Sequence, residues 1–218
     1  MDYLINNIDR VLELSWEHLQ IAGMAVGLSI LVGVPLGIFV TRIRWLQPYV
    51  IGMASIFYLI PTLALFAVLI PITGLGPEPA IIGIILYAQL AIIRNTVVGI
   101  DNVSMSLKEA AIGMGMTSRQ LLWQLELPLA LPAIMAGIRV STVMSIGVAS
   151  IAAYLGVGGL GTLIFRGMQS MYTEMVIAGA LPVSVMAICA ERLIAIIENY
   201  LSKDRKPVSA SEEKAMTS

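Results

Sequence analysis

Few side chains in this sequence could do chemistry, and most of the familiar arrangements are missing. One histidine, His18, and one cysteine, Cys189, cannot make a disulfide or a cysteine–histidine metal cluster. His18 has no second histidine or carboxylate pair at ligand spacing, so it reads as an interfacial residue. No Lys follows a Gly, which removes the phosphate-cradling loop of a nucleotide-hydrolysing site. Gly156, Gly158 and Gly161 match G-x-G-x-x-G, but an apolar helical run precedes them rather than a strand. They read as a flexible turn. What remains is one amphipathic, charged stretch from Ser106 to Pro128, SLKEAAIGMGMTSRQLLWQLELP. Ser106 with Glu109 predicts a capping box and a helix starting at Leu107. Gly113 and Gly115 offer left-handed positions to end it. Thr117 with Gln120 predicts a second capped helix, which Pro128 should stop. The exposed product would be helix, glycine turn, helix. Small Ala110 and Ala111 would admit another surface close to the backbone, and Glu109 would add a directional charge.

The elements that must hold this stretch are apolar. The chain is 58% hydrophobic and 12% charged, and its mean hydropathy is +0.88. That composition belongs to the membrane class. A net charge of −1 argues against a nucleic-acid surface. Residues 1–18 read as a polar, amphipathic surface helix outside the membrane, and their acids Asp2, Asp9, Glu13 and Glu17 do not resemble a cleavable signal peptide. Five spans follow, at about 19–41, 49–70, 80–100, 131–155 and 175–197, each long enough for a hydrocarbon core that needs about 20 helical residues. In the first, Gly23/Gly27 and Gly33/Gly37 have the spacing that allows close helix contact in lipid. In the second, Pro61 predicts a kink. In the third, Arg94 lies near enough to the end to snorkel. The fourth span passes Arg139. Glu78, Asp101, Glu174 and Glu191 all fall near span ends, so no acid is expected deep in the bundle. The polar residues 201–218 form a tail.

Five spans place the two termini on opposite sides, and the basic residues choose the orientation. With the amino terminus outside, Arg42, Arg44, Arg94, Lys108, Arg119, Arg139, Arg192, Lys203, Arg205, Lys206 and Lys214 fall inside. Arg10 and Arg166 fall outside. This puts 106–128 in the cytosol and the carboxyl terminus with it.

Glu109-Ala110-Ala111, three residues, Gly115, nine residues, then Leu125-Glu126-Leu127-Pro128 resembles the EAA motif of bacterial ABC-importer permeases. The motif's aliphatic position is Leu125. The resemblance implies an all-α polytopic membrane protein with five core helices like the methionine-importer permease, and a coupling helix between spans 3 and 4. Glu109, Ala110, Ala111 and Gly115, with Leu125 and Pro128, would then seat in a groove of a cytosolic ABC ATPase. That separate chain would hold ATP and Mg and hydrolyse the nucleotide, so this chain needs no cofactor and is no enzyme. Five helices are few to enclose a solute path, so a second permease subunit, identical or homologous, is expected in the bacterial cell membrane. An extracytoplasmic solute-binding protein would deliver the solute.

The Tyr154–Gly161 stretch YLGVGGLG, Ile164-Phe165-Arg166-Gly167 and the Ile60–Leu65 run resemble the permeases for glycine betaine, carnitine and choline. A quaternary ammonium solute would find no counter-ion in the spans. Aromatic faces could guide it through cation–π contacts of roughly 0.5–2 kcal/mol. Phe57, Tyr58, Tyr87 and Tyr154 are the candidates, each also able to serve as a packing or lipid-facing ring. The alternatives are an ABC permease for amino acids or another small solute, and a secondary transporter working without ATP.

Overall fold

The computed structural model describes residues 2–202, and these are helical apart from short connections. The expected tail 201–218 lies almost wholly outside the described residues. The chain opens with α1 (Asp2–Asn6) and then α2 (Ile8–Arg42). The polar lead and the first span are therefore one helix of 35 residues, about 50 Å long. The physical reason is a face shared across the polar–apolar boundary. Val11, Leu14, His18, Ile21, Ala22 and Ala25 are all buried and recur at helical spacing. His18 is accordingly not interfacial. It is 1% exposed, with ring Nε2 3.0 Å from the Ile146 carbonyl.

The second expected span is broken. It consists of α3 (Gln47–Leu59) and α4 (Thr62–Thr73), bent by 102° at the break between them. Pro61 forces its predecessor out of the helical region, and Ile60 sits at φ −68°, ψ 128°. The Ile60 carbonyl, left without a helical partner, accepts from the Tyr87 hydroxyl.

Helix α5 (Pro77–Asp101) is the central post and packs against α2, α3 and α4. Gly33 and Gly37 of α2 permit this closeness. A Cβ on Gly37 would lie 2.7 Å from Thr96 Cβ, and one on Gly33 would lie 2.8 Å from Ile92 Cγ2. The other expected pair, Gly23/Gly27, meets nothing within 4 Å.

After α5 come α6 (Met105–Gly113), α7 (Ser118–Gln120), a π-helical segment Leu121–Glu126 and α8 (Leu127–Ala152). Pro128 does not stop the second helix; it lies in the first turn of α8. The wider π turn, closed by Leu127 N–H onto the Leu122 carbonyl, brings a residue without an N–H into the next helix. Residues Ser118–Leu155 thus form one continuous membrane-length element.

A 3₁₀ turn and glycines in the left-handed region at 156, 158 and 159 lead to α9 (Gly161–Gln169) and α10 (Thr173–Ser202). Helix α9 was not foreseen in the sequence. Its Leu163, with Leu160 just ahead of it, packs onto Val11 and Leu14 of α2. Glu17 accepts from the Gly159 N–H at 2.9 Å, tying the glycine turn to α2. Among the described residues four helices are long and apolar enough to cross a membrane, and the α3–α4 pair taken as one span makes five. Ile21, Ala22 and Ala25 of α2, Ile84 of α5, and Ile146 and Ala149 of α8 form the core that joins them, with Val183 and Met186 of α10 against it.

Candidate functional site

The Ser106–Pro128 stretch forms a knob at the end of the bundle where α5 finishes. Asn102 and Val103 close α5 by donating to the Val98 and Ile100 carbonyls. Ser104 is then extended at ψ 132° and α6 begins at Met105. Ser106 is already inside the helix, so the expected Ser106/Glu109 capping box does not form. The Ser106 hydroxyl instead shares a hydrogen bond of 2.7 Å with that of Ser104.

Helix α6 ends in a Schellman motif: Met116 N–H donates to the Ala111 carbonyl at 3.1 Å, and Gly115 N–H to Ile112 at 2.9 Å. Gly115 has φ +89°, whereas Gly113 remains helical, so only one of the two expected left-handed glycines is used. The second capping box forms as its residues predict. Thr117 Oγ1 accepts from Gln120 N–H at 3.4 Å, and Gln120 Oε1 accepts from Thr117 N–H at 2.8 Å.

This knob presents Glu109, Ala110 and Gly115 to the outside, while Ala111 is 3% exposed and faces inward. Only one of the two alanines is therefore available to a partner. Around them stand Leu107, Ile112, Met114 and Trp123, all exposed. Such apolar exposure on a charged, turn-rich segment marks a surface made to be covered. Leu125 and Pro128 are half-buried beneath it, in the segment that carries the knob into α8.

The side chain that sequence reasoning missed is Glu126. It is 2% exposed, and its carboxylate accepts from Arg42 at the end of α2 through both terminal guanidinium nitrogens. Lys108 of α6 lies 3.3 Å from Oε1 of the same carboxylate and also donates to the Ile100 carbonyl of α5 at 3.2 Å. The carboxylate is buried, so stripping it of both cations would leave an uncompensated charge at about 3–5 kcal/mol, whereas losing one leaves it paired with the other. Asp101, Arg44 and Leu121 line the same cleft, about 300 Å³ in volume. The signal was available: an acid between Leu125 and Leu127 in an apolar run needs a cation. A second acid outside the expected set, Glu198 of α10, pairs with Arg139 of α8.

The four aromatic candidates do not converge on one place. Tyr58 and Tyr87 meet edge to face at 6.1 Å. Tyr87 is buried and its hydroxyl is committed to the α3–α4 break. Phe57 lines a separate apolar cleft with Leu36, Val50, Leu86 and Gln89. Tyr154 pairs with Phe165 at 5.6 Å in a third cleft, with Arg10, Glu17 and Arg166. Among the described residues no group of three His, Cys, Asp or Glu side chains could hold a metal ion.

Comparison with known proteins accounts for this architecture. The chain is 42% identical to the osmoprotectant import permease protein OsmW of Salmonella typhimurium, over 88% of this chain and 92% of the relative. It is 42% identical to the glycine betaine/carnitine/choline transport system permease protein OpuCB of Bacillus subtilis, over 93% of each. Its fold matches an inward-facing structure of the MetNI methionine ABC transporter with a TM-score of 0.78, at 22% identity, over 89% of this chain and 97% of that one. Residues 33–203 match the family model described as the binding-protein-dependent transport system inner membrane component. That region holds the whole knob and four of the five spans, and the chain belongs to this family of inner-membrane transport components.

Proposed function

We propose that the chain is the permease subunit of an ATP-driven importer for quaternary ammonium compatible solutes, glycine betaine, carnitine and choline among them. The supporting observation for the substrate class is the set of relatives about 40% identical over nearly the whole chain. Those relatives are permeases for osmoprotectants and for glycine betaine, carnitine and choline. For the mechanism, the carrying observation is the knob itself. Glu109 and Ala110 stand exposed beside the left-handed turn at Gly115, and the spacing matches the EAA motif throughout.

In this reading the knob is cytosolic and the amino terminus is outside. The exposed face of α6 seats in a groove of an ABC ATPase, which binds ATP and Mg and hydrolyses the nucleotide. A second permease subunit completes the path, and an external binding protein supplies the solute. Closure of the ATPase pair moves the knobs, and the spans exchange outward for inward access. Tyr58, on the open edge of the α3–α4 break, and Tyr154, in the glycine-turn cleft, are the rings free to meet a cation on its way.

The test is uptake of labelled glycine betaine, carnitine, choline and proline into proteoliposomes holding the permease, its ATPase and its binding protein. Uptake of the first three, dependent on ATP and abolished by Glu109→Lys with loss of ATPase association, is the expected result. Uptake of proline alone refutes the substrate class. Transport without nucleotide, or labelling of Glu109→Cys from outside intact cells by an impermeant thiol reagent, refutes the mechanism.

A further inference from the structure

We infer that Glu126, between Leu125 and Leu127, is the positioning residue that passes movement of α6 to the first span. The inference rests on the coupling reading above and adds the route by which the movement leaves the knob. Lys108 belongs to α6, one residue before Glu109. Arg42 is the last residue of α2, the helix that runs the full depth of the bundle. Glu126 is the last residue of the π-helical segment and immediately precedes α8. One buried carboxylate therefore binds three separate elements.

The degrees of burial show how the tie is built. The side chains of Glu126, Lys108 and Arg42 are 3%, 15% and 40% exposed. The acid is almost wholly covered by protein and its two cations, so it loses compensation if one of them withdraws. Arg42, in contrast, reaches solvent and could leave at lower cost. A displaced α6 therefore either carries Glu126 along through Lys108 or leaves the carboxylate to Arg42 alone. In the first case Glu126 pulls on the end of α2 and the start of α8 together.

Lys108 also holds the Ile100 carbonyl at the end of α5, so the same ammonium reports on the central post. The π-helical turn beneath is the natural place for give. Single-turn π segments are rare within helices and recur at functional sites.

A purely structural ion pair would set how much complex assembles. A transmission element sets how much solute moves per nucleotide hydrolysed. The experiment measures both, in proteoliposomes holding the permease, ATPase and binding protein with labelled glycine betaine as probe. Lys108→Met cuts the α6 link while Arg42 still satisfies Glu126. Arg42→Met cuts the α2 link while Lys108 still satisfies it. Both variants keep the buried acid paired, so both should fold.

The expected result is assembly and ATP hydrolysis close to wild type, with solute moved per ATP falling at least tenfold in each variant. Lys108→Arg, which preserves the charge, should recover most of the loss. Wild-type ratios in both Met variants overturn the inference, as does a fall in uptake that merely parallels the loss of assembled complex. Glu109→Lys serves as the control on the underlying reading. If it uncouples while the Met variants do not, only the route through Glu126 is wrong. If it too is silent, the coupling role of the knob fails first.

Discussion

Gly115 gives a prediction whose size can be worked out before the experiment. Its φ is +89°, inside the left-handed region, and a Cβ built on it meets nothing within 4 Å. Gly115→Ala therefore creates no clash with neighbours; its cost is the backbone strain of an L-residue in that region, about 1–2 kcal/mol. Gly113, two residues earlier, is helical and equally open. Gly113→Ala should stabilise α6 by up to about 1 kcal/mol, since alanine is the better helix former. The two substitutions add the same methyl group to the same exposed knob and differ only in backbone sign. If a partner reads the knob in its Schellman conformation, Gly115→Ala must strain the docked state or abandon the turn. An energy of 1–2 kcal/mol corresponds to a factor of about 5–30. Titration of the purified ATPase against the permease in lipid nanodiscs should show Gly115→Ala weaker by that factor, and Gly113→Ala equal to wild type or tighter. Equal affinities for the two variants would refute the reasoning, because the turn would then have no part in recognition.

Two further predictions concern the scaffold. Tyr87→Phe removes the donor to the Ile60 carbonyl at the α3–α4 break; an unsatisfied buried acceptor costs about 1–3 kcal/mol. Thermal unfolding in detergent should show the midpoint lower by about 2–4 °C for each kcal/mol in a chain of this size, and an unchanged midpoint would mean that the carbonyl finds another partner. Gly37→Leu forces a side chain against Thr96, where a Cβ alone would lie at 2.7 Å. Overpacking there costs about 1–3 kcal/mol, whereas Gly27→Leu should leave the same midpoint in place because nothing within the chain lies near it.

The spans were legible because apolar runs of 20 or more residues have few other uses. Their ends were less so, and the errors share a cause: periodicity outranked the breakers. Residues 8–18 are polar enough to look separate, yet Val11, Leu14 and His18 continue the buried stripe of α2 and hold the helix together. Pro128 looks like a stop, yet a π turn before it carries the helix through. At Pro61 the outcome is opposite. Ile60 is extended, Tyr87 satisfies its carbonyl, and the predicted kink becomes a 102° bend. A proline fixes its own dihedral and removes one donor; the chain continues where a π turn precedes it, as at Pro128, and bends where its predecessor is extended, as at Pro61.

The same logic separates what could and could not be read at the knob. The left-handed turn at Gly115 and the Thr117/Gln120 cap are local features, determined by residues three to six apart, and they form as the spacing predicts, whereas the Ser106/Glu109 box and a left-handed Gly113 do not. Ala111 and Glu126 depend on what lies behind them. Ala111 turns inward because α6 rests on the bundle at that residue, so its small size serves packing on its own chain. Glu126 is bound to Arg42 across 84 positions of sequence, and no window of local composition contains both. A hydropathy profile counts Glu126 as a polar residue near the membrane edge, where it would be cheap. Buried at 2% exposure between two cations it is costly to disturb, and that cost is what allows three elements to move as one.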